Sequence, residues 1–262
     1  MPELAEVETF KKYFDQTSLN QTITKVMVTD VRILNTKEED FKKSFIGKKF
    51  TDSLRHGKYL LVNLNSCFLV IHFGMTGDLA YFHKEENLPP YSKVIFFFEN
   101  DYALSYISQR MFGRLEITNS IESFIKKKKL GPDALNMTFE EFQDALKKRS
   151  TITKNALMNQ SIIAGIGNIY SDEILFQSKI HPKTRINRIN DQQVKTLFDE
   201  IKKVLTYGIK KEGILETYSS KFLIPHRKKD ESCPNCGFII ERYEFQGRHG
   251  FFCPKCQEFN EV

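Results

Sequence analysis

Apolar residues recur at Leu4, Val7, Phe10 and Phe14, the spacing of one helix face, which predicts a leading helix whose terminus is fixed against a core. Short runs of strand character follow: Ile23 to Val28, Lys49 to Leu54, Tyr59 to Leu64, Phe68 to His72, Val94 to Phe98 and Leu104 to Ile107. Several alternate or are rich in β-branched and aromatic residues, and Asn100-Asp101 reads as a tight turn between the last two. This half is predicted to be a β-sandwich or flattened barrel with one helix leading in.

The pattern breaks between Ile121 and Asn136, where Lys126-Lys127-Lys128-Lys129 precedes Leu130-Gly131-Pro132-Asp133. A charge run ahead of Gly-Pro predicts a solvated linker. From Thr138 the period becomes helical. Phe139, Phe142 and Leu146 mark one helix, and Leu157 and Met158 a second. Ile169, Ile174, Leu175 and Phe176 mark a third, and Val194, Leu197, Ile201, Val204 and Leu205 a fourth. Ala164-Gly165-Ile166-Gly167-Asn168 separates the second from the third. Such a turn can aim backbone N–H groups and the Asn168 amide at a phosphate, and a plain helix-turn-helix corner accounts for the same residues. The expected class is α+β. The expected division is 1–120, a β-sandwich domain; 121–137, a linker; 138–225, a helical domain; and 226–262, a terminal segment that carries four of the five cysteines.

The length of 262 residues suffices for two domains. Lys plus Arg number 39 against 33 Asp plus Glu, a net charge of +6 that suits a polyanion partner. No apolar run reaches transmembrane length, and the N-terminus has acid where a signal peptide wants basic charge, so a soluble, intracellular protein is expected. An odd total of five cysteines, four of them near the C-terminus, argues against a disulfide framework. Cys67, inside an apolar run, reads as a small buried hydrophobe without a function.

Candidate chemistry lies at the two ends of the chain. Cys233-Pro-Asn-Cys236 and Cys253-Pro-Lys-Cys256 form two C-x-x-C knuckles, a spacing that converges four thiolates tetrahedrally on zinc. With no open position the metal would be structural, folding a segment too short to build its own core. Between the knuckles, Gln246-Gly247-Arg248-His249-Gly250 puts a planar cationic fork suited to phosphate at a hairpin tip. At the other end, Pro2 allows removal of Met1, leaving a secondary amine. An α-amine of ordinary pKa ~8 is partly unprotonated near neutrality and can attack a carbonyl-like carbon. Glu3 and Glu6 beside it also suit the start of the leading helix, where acid complements the dipole.

Several motifs now agree, and the chain resembles formamidopyrimidine-DNA glycosylase and its relative endonuclease VIII. The match runs nearly end to end. It takes in the Pro2-Glu3 start, Arg55-His-Gly-Lys58-Tyr-Leu, Ile71-His72-Phe-Gly-Met75-Thr-Gly and Arg110-Met-Phe112-Gly113. It continues through Leu130-Gly-Pro-Asp133, Ala164-Gly-Ile-Gly-Asn168-Ile-Tyr170 and the zinc finger carrying Gly247-Arg248. The resemblance implies a catalytic N-terminal β-sandwich, a helix-two-turn-helix domain and a β-hairpin zinc finger whose four cysteines hold one structural zinc ion. It implies a monomeric bifunctional glycosylase and lyase of base-excision repair, cytoplasmic and nucleoid-associated, acting on double-stranded DNA with oxidised bases or abasic sites.

By the same resemblance Pro2 attacks C1′ of the damaged nucleotide, Glu3 serves as general acid and base, and β- and δ-elimination cut the strand. Lys58, Arg248 and Asn168 contact phosphates, Lys58 also assisting at the damaged site, so that Pro2, Glu3, Lys58 and Arg248 form the implied catalytic set; Lys154 and His72 are further phosphate candidates. Met75, Arg110 and Phe112 fill the void left by the flipped nucleotide, a trio closer to the formamidopyrimidine branch than to endonuclease VIII.

Three positions depart from the family pattern. Ala5 replaces the usual proline, Asn159 stands where aspartate is common, and Glu212 to Ser232 lacks the glycine-studded loop that caps 8-oxoguanine, with His226 near an expected tyrosine. Either capping is weak or another segment, such as Tyr218-Ser219-Ser220, performs it. The competing readings are a non-catalytic zinc-finger protein that binds damaged DNA and an endonuclease VIII-like enzyme for oxidised pyrimidines. Retained Met1 would put Pro2 in a peptide bond and abolish the nucleophile.

Overall fold

The computed structural model describes residues 1–147 and 149–259. The chain forms two compact units: Met1–Pro2 with Glu6–Lys128, and Glu3–Ala5 with the chain from Lys129 onward.

The first unit contains helix α1 (Leu4–Ser18) beyond its first two residues, β1 (Ile23–Val28), α2 (Glu38–Lys43), β2 (Asp52–His56), β3 (Tyr59–Asn63) and β4 (Phe68–His72). It continues with β5 (Gly77–His83), β6 (Ser92–Phe98), β7 (Tyr102–Ser108), β8 (Arg114–Thr118) and α3 (Ile121–Lys128). Two antiparallel four-stranded sheets, in the orders β1-β6-β7-β5 and β2-β3-β4-β8, share one core to which both give inward residues, Val26 and Phe96 from one, Leu60 and Ile71 from the other. With 23 Phe and no Trp, the packing is aromatic. Phe41, Phe45, Phe50 and Phe96 interlock at ring separations of 4.7 to 6.4 Å, mostly tilted or edge-on, the geometry the ring quadrupole favours.

The strand expected from Lys49 begins at Asp52, Lys49 itself making only an isolated bridge to Thr22. Strands β5 and β8 were not foreseen. Asp78 and Ala80 dilute the apolar alternation of β5, and β8 buries Glu116, whose charge is met by Lys128 at 2.8 Å. The lysine run is likewise more ordered than a linker: Lys126, Lys127 and Lys128 form the last turn of α3, where cations complement the helix dipole.

The second unit is built from α4 (Phe139–Leu146), α5 (Thr153–Met158), α6 (Asn168–Gln177), α7 (Asp191–Lys210) and the hairpin β9 (Glu241–Phe245) and β10 (Arg248–Phe252). All four expected helices are present. Capping boxes start two of them, Thr138 with Glu141 at α4 and Asn190 with Gln193 at α7. Helix α6 lies at the centre, with every residue from Tyr170 to Phe176 buried, including Asp172 and Glu173.

Candidate functional site

Glu3 is only 3% exposed, and its carboxylate accepts backbone N–H bonds from Gly167 at 2.6 Å, Ile169 at 2.9 Å and Tyr170 at 3.3 Å. The acidic residue therefore complements a helix dipole, but that of α6 and not of its own helix. The turn before α6 is shaped around it. Leu4 donates its N–H to the Gly165 carbonyl at 3.0 Å, and Gly165, at φ +118°, lies against the Leu4 side chain. A Cβ on Gly167 would fall 2.3 Å from Glu3 Cδ. These N–H groups, expected as a phosphate seat, are thus spent on Glu3. Pro2, the next residue toward the terminus, is half-buried.

In the first unit, the turn between β2 and β3 carries Lys58, 8% exposed, directly after Gly57 at φ +56°. Arg55 fixes that turn: its Nε donates to Glu8 of α1 at 2.7 Å and its guanidinium also donates to the Gly57 carbonyl. His72 lies across the sheet, paired in register with Tyr59 on one side and Arg114 on the other. Burial, and then the positive charges of Lys58, Lys128 and Arg114, push its imidazole down to about 4. His72 is accordingly a neutral donor at physiological pH and not the cation a phosphate contact would favour.

Met75, Arg110 and Phe112 come from two loops of the same unit that pack backbone against backbone. Gly74 adopts φ +64°, and a Cβ there would fall 2.4 Å from Gly113 N and from the Phe112 carbonyl carbon. The Arg110 N–H donates to Thr76 Oγ1 at 3.1 Å, and its guanidinium lies 5.2 Å from the Phe112 ring centre. Met75 at 39% and Phe112 at 55% exposure present apolar groups to solvent without an evident folding benefit.

In the second unit Lys154 is 0% exposed and donates to Asp172 Oδ1 at 2.5 Å and to the Asn168 carbonyl at 3.0 Å. This buried ammonium does not reach the surface where a phosphate would lie. Asp172 also accepts from Arg227 at 2.7 Å, from the Phe251 N–H at 3.2 Å and from the Tyr243 hydroxyl at 3.4 Å. Burial and the Asp172 charge push the Tyr243 phenol far up, which keeps it protonated as a donor. Asp172 and Arg227 were missed in the sequence; the only signal is an Asp-Glu pair inside the apolar run Ile169 to Phe176.

Arg248 is exposed at the hairpin tip, beside Gln246 at φ +48° and Gly247 at φ +70°, the left-handed pair that a two-residue turn requires. Asn168 ties this hairpin down, donating from Nδ2 to the His249 carbonyl at 2.8 Å. The Sγ atoms of Cys233, Cys236, Cys253 and Cys256 all lie within 4.8 Å of one another, with Cys233 to Cys256 at 3.8 Å and Cys236 to Cys253 at 3.5 Å. Tetrahedral zinc with bonds of about 2.3 Å needs sulfurs about 3.8 Å apart, so the four cysteines fit the ion. Asn235 supplies outer support, its N–H to Cys233 Sγ at 3.4 Å and its Nδ2 to Cys256 Sγ at 3.3 Å.

The segment from Glu212 is anchored inward. Tyr218 is buried with its hydroxyl 2.9 Å from that of Tyr170, Phe222 stacks on Tyr207 at 4.3 Å, and His226 Nε2 contacts the Ser220 carbonyl at 2.9 Å.

The chain matches the family description "Formamidopyrimidine-DNA glycosylase N-terminal domain" over residues 1–115, "Formamidopyrimidine-DNA glycosylase H2TH domain" over 130–219 and "Zinc finger found in FPG and IleRS" over 230–258. A formamidopyrimidine-DNA glycosylase of Listeria monocytogenes is 32% identical over 98% of this chain and 100% of its own length. One from Mycoplasma mobile is 33% identical over 99% and 100%. Among solved structures, the Lactococcus lactis Fpg bound to abasic-site DNA superposes with a TM-score of 0.88 at 28% identity, covering 98% of this chain and 100% of that one. The same bacterium's protein bound to DNA containing FAPY-dG gives 0.88 at 29%, with the same coverage.

Proposed function

Because the chain belongs to the formamidopyrimidine-DNA glycosylase family and is a DNA glycosylase of that kind, we propose that it excises formamidopyrimidines and other oxidised bases from duplex DNA and then cleaves the abasic strand. With Met1 removed, the Pro2 nitrogen attacks C1′ of the flipped nucleotide, and the glycosidic bond breaks with its electron pair leaving on the base. Glu3 moves the proton at the sugar, the ring opens to an iminium on Pro2, and β- and δ-elimination release the strand ends. The observation that carries this reading is the buried Glu3 carboxylate, fixed by three backbone N–H groups immediately beside Pro2.

Lys58, Arg248 and Asn168 take phosphates, the last through the second hydrogen of an amide already bonded to His249. Met75, Arg110 and Phe112 enter the void. The four cysteines hold one structural zinc ion in a closed site that supplies no open position for chemistry. The protein works as a monomer in the cytoplasm, on the nucleoid. Borohydride reduction with abasic DNA tests the reaction: a covalent adduct from the wild type, absent in Pro2→Gly, is expected. No adduct from a protein whose intact mass shows Met1 removed would leave a non-catalytic binder.

The lesion preference follows from the segment after α7. With Tyr218 turned into the core, the exposed stretch left beside it to close over a planar base, Ser219 to Lys221, is short, so formamidopyrimidines are removed faster than 8-oxoguanine. Equal single-turnover rates for the two on matched duplexes would contradict this preference.

A further inference from the structure

We propose that Asp172 is a positioning residue that sets Arg248 for phosphate binding, by clamping the zinc hairpin onto the helix whose N-terminus holds Glu3. This rests on the reading above that Arg248 grips a phosphate. The clamp acts on the body of the hairpin. Asp172 accepts from Tyr243 on β9 and from the Phe251 N–H on β10, and in the register of the hairpin Tyr243 faces Gly250 while Arg248 faces Phe245 at the tip. Gly250 makes this possible, since a Cβ there would fall 2.5 Å from the Tyr243 ring.

Among the described residues two further bonds reach the tip, Asn168 to the His249 carbonyl and Gln246 to Asn155, but both are neutral and solvent-exposed and compete with water. Asp172 is dry and charged, so its bonds to the strands, though longer at 3.2 Å to the Phe251 N–H and 3.4 Å to the Tyr243 hydroxyl, are not exchanged for water. Its charge is balanced by Lys154 at 2.5 Å and Arg227 at 2.7 Å, and Arg227 also lies over the Phe251 ring at 5.3 Å. Lys154 serves here as the buried counterion of the clamp. A carboxylate at 172 thus joins α5, α6, the Arg227 segment and both hairpin strands at one point, some distance from the phosphate it helps to bind.

The test measures affinity for a duplex with a non-cleavable tetrahydrofuran abasic analogue across a salt series. The proteins are wild type, Asp172→Asn, Tyr243→Phe and Arg248→Ala, and the first two variants combined with the third. Asp172→Asn is expected to keep zinc, weaken binding about tenfold and flatten the slope of log K against log salt by about 0.9, the share of one phosphate. Tyr243→Phe should move both in the same direction by less. In the Arg248→Ala background neither substitution should have a further effect, because coupled residues are non-additive. Wild-type affinity and slope in Asp172→Asn, or a full additional loss in the Arg248→Ala background, would overturn the proposal. If Asp172→Asn loses zinc, the Tyr243→Phe pair decides by the same criterion. A wild-type protein that does not bind the duplex would instead count against the functional reading itself.

Discussion

Gly167→Ala isolates the placement of Glu3 from its charge. Gly167 has φ −125°, which alanine adopts without strain, so the perturbation is steric. The added Cβ falls 2.3 Å from Glu3 Cδ and 2.5 and 2.7 Å from its two oxygens, whereas ordinary contacts begin at 3.4 Å. The carboxylate must retreat by about 1 Å, which breaks or stretches its bonds to three N–H groups. Overpacking typically costs about 1–3 kcal/mol, and a hydrogen bond to a charged group contributes about 1.5–3 kcal/mol, so a loss of roughly 2–4 kcal/mol follows. For a chain of this size that lowers the melting temperature on the order of 5–15 °C. A misplacement of about 1 Å at a reacting centre also costs about 10²-fold in rate. Scanning fluorimetry and single-turnover excision of a formamidopyrimidine read the two effects separately. A wild-type melting temperature would refute the packing argument. Lowered melting with wild-type excision would refute the part given to Glu3 in the reaction.

Cys233→Ser should release zinc, and because the hairpin depends on the ion it should lower DNA affinity while intact mass still shows a free Pro2; metal analysis beside a binding titration checks this. Arg248→Ala should flatten the salt dependence of binding by about 0.9 in log K against log salt, and an unchanged slope would remove Arg248 from the phosphate contacts. The folded protein keeps the His72 imidazole neutral down to about pH 4, while the unfolded chain takes up that proton near 6.5. Its contribution to stability is therefore complete above pH 6.5 and falls by roughly 3 kcal/mol toward pH 4. Urea unfolding of His72→Gln should show that much less acid destabilisation than the wild type.

Periodicity exposed the elements whose apolar residues face one core. The leading helix could be read because Val7 and Phe14 enter the core of the first unit, although Leu4, in the same apolar series, packs into the core of the second; the last helix could be read because Leu197, Ile201, Val204 and Leu205 enter that second core. Strand β5 stayed hidden because Asp78 and Ala80 dilute its apolar alternation, and β8 because its buried Glu116 is neutralised by Lys128 on a separate helix. The zinc cysteines could be read from spacing, since two adjacent knuckles carry the geometry of the site within themselves. Lys154 shows the limit of motif matching: the residue sits where it was expected in the chain, yet its ammonium is buried on Asp172, a partner 18 positions away that no local pattern indicates. Glu3 shows it again, for the helix it caps is not its own.

That last contact also orders events during synthesis. The partners of Glu3 lie 164, 166 and 167 residues further along the chain. A ribosome that has released the whole β-sandwich has therefore delivered Pro2 without the Glu3 carboxylate in place. Closing so long a loop costs conformational entropy that only the completed helical unit repays. On the proposed mechanism, a nascent or truncated chain ending before α6 would carry Pro2 but no fixed Glu3, and reactivity toward DNA would arrive only with the half of the molecule that brings Asn168, Arg248 and the zinc finger.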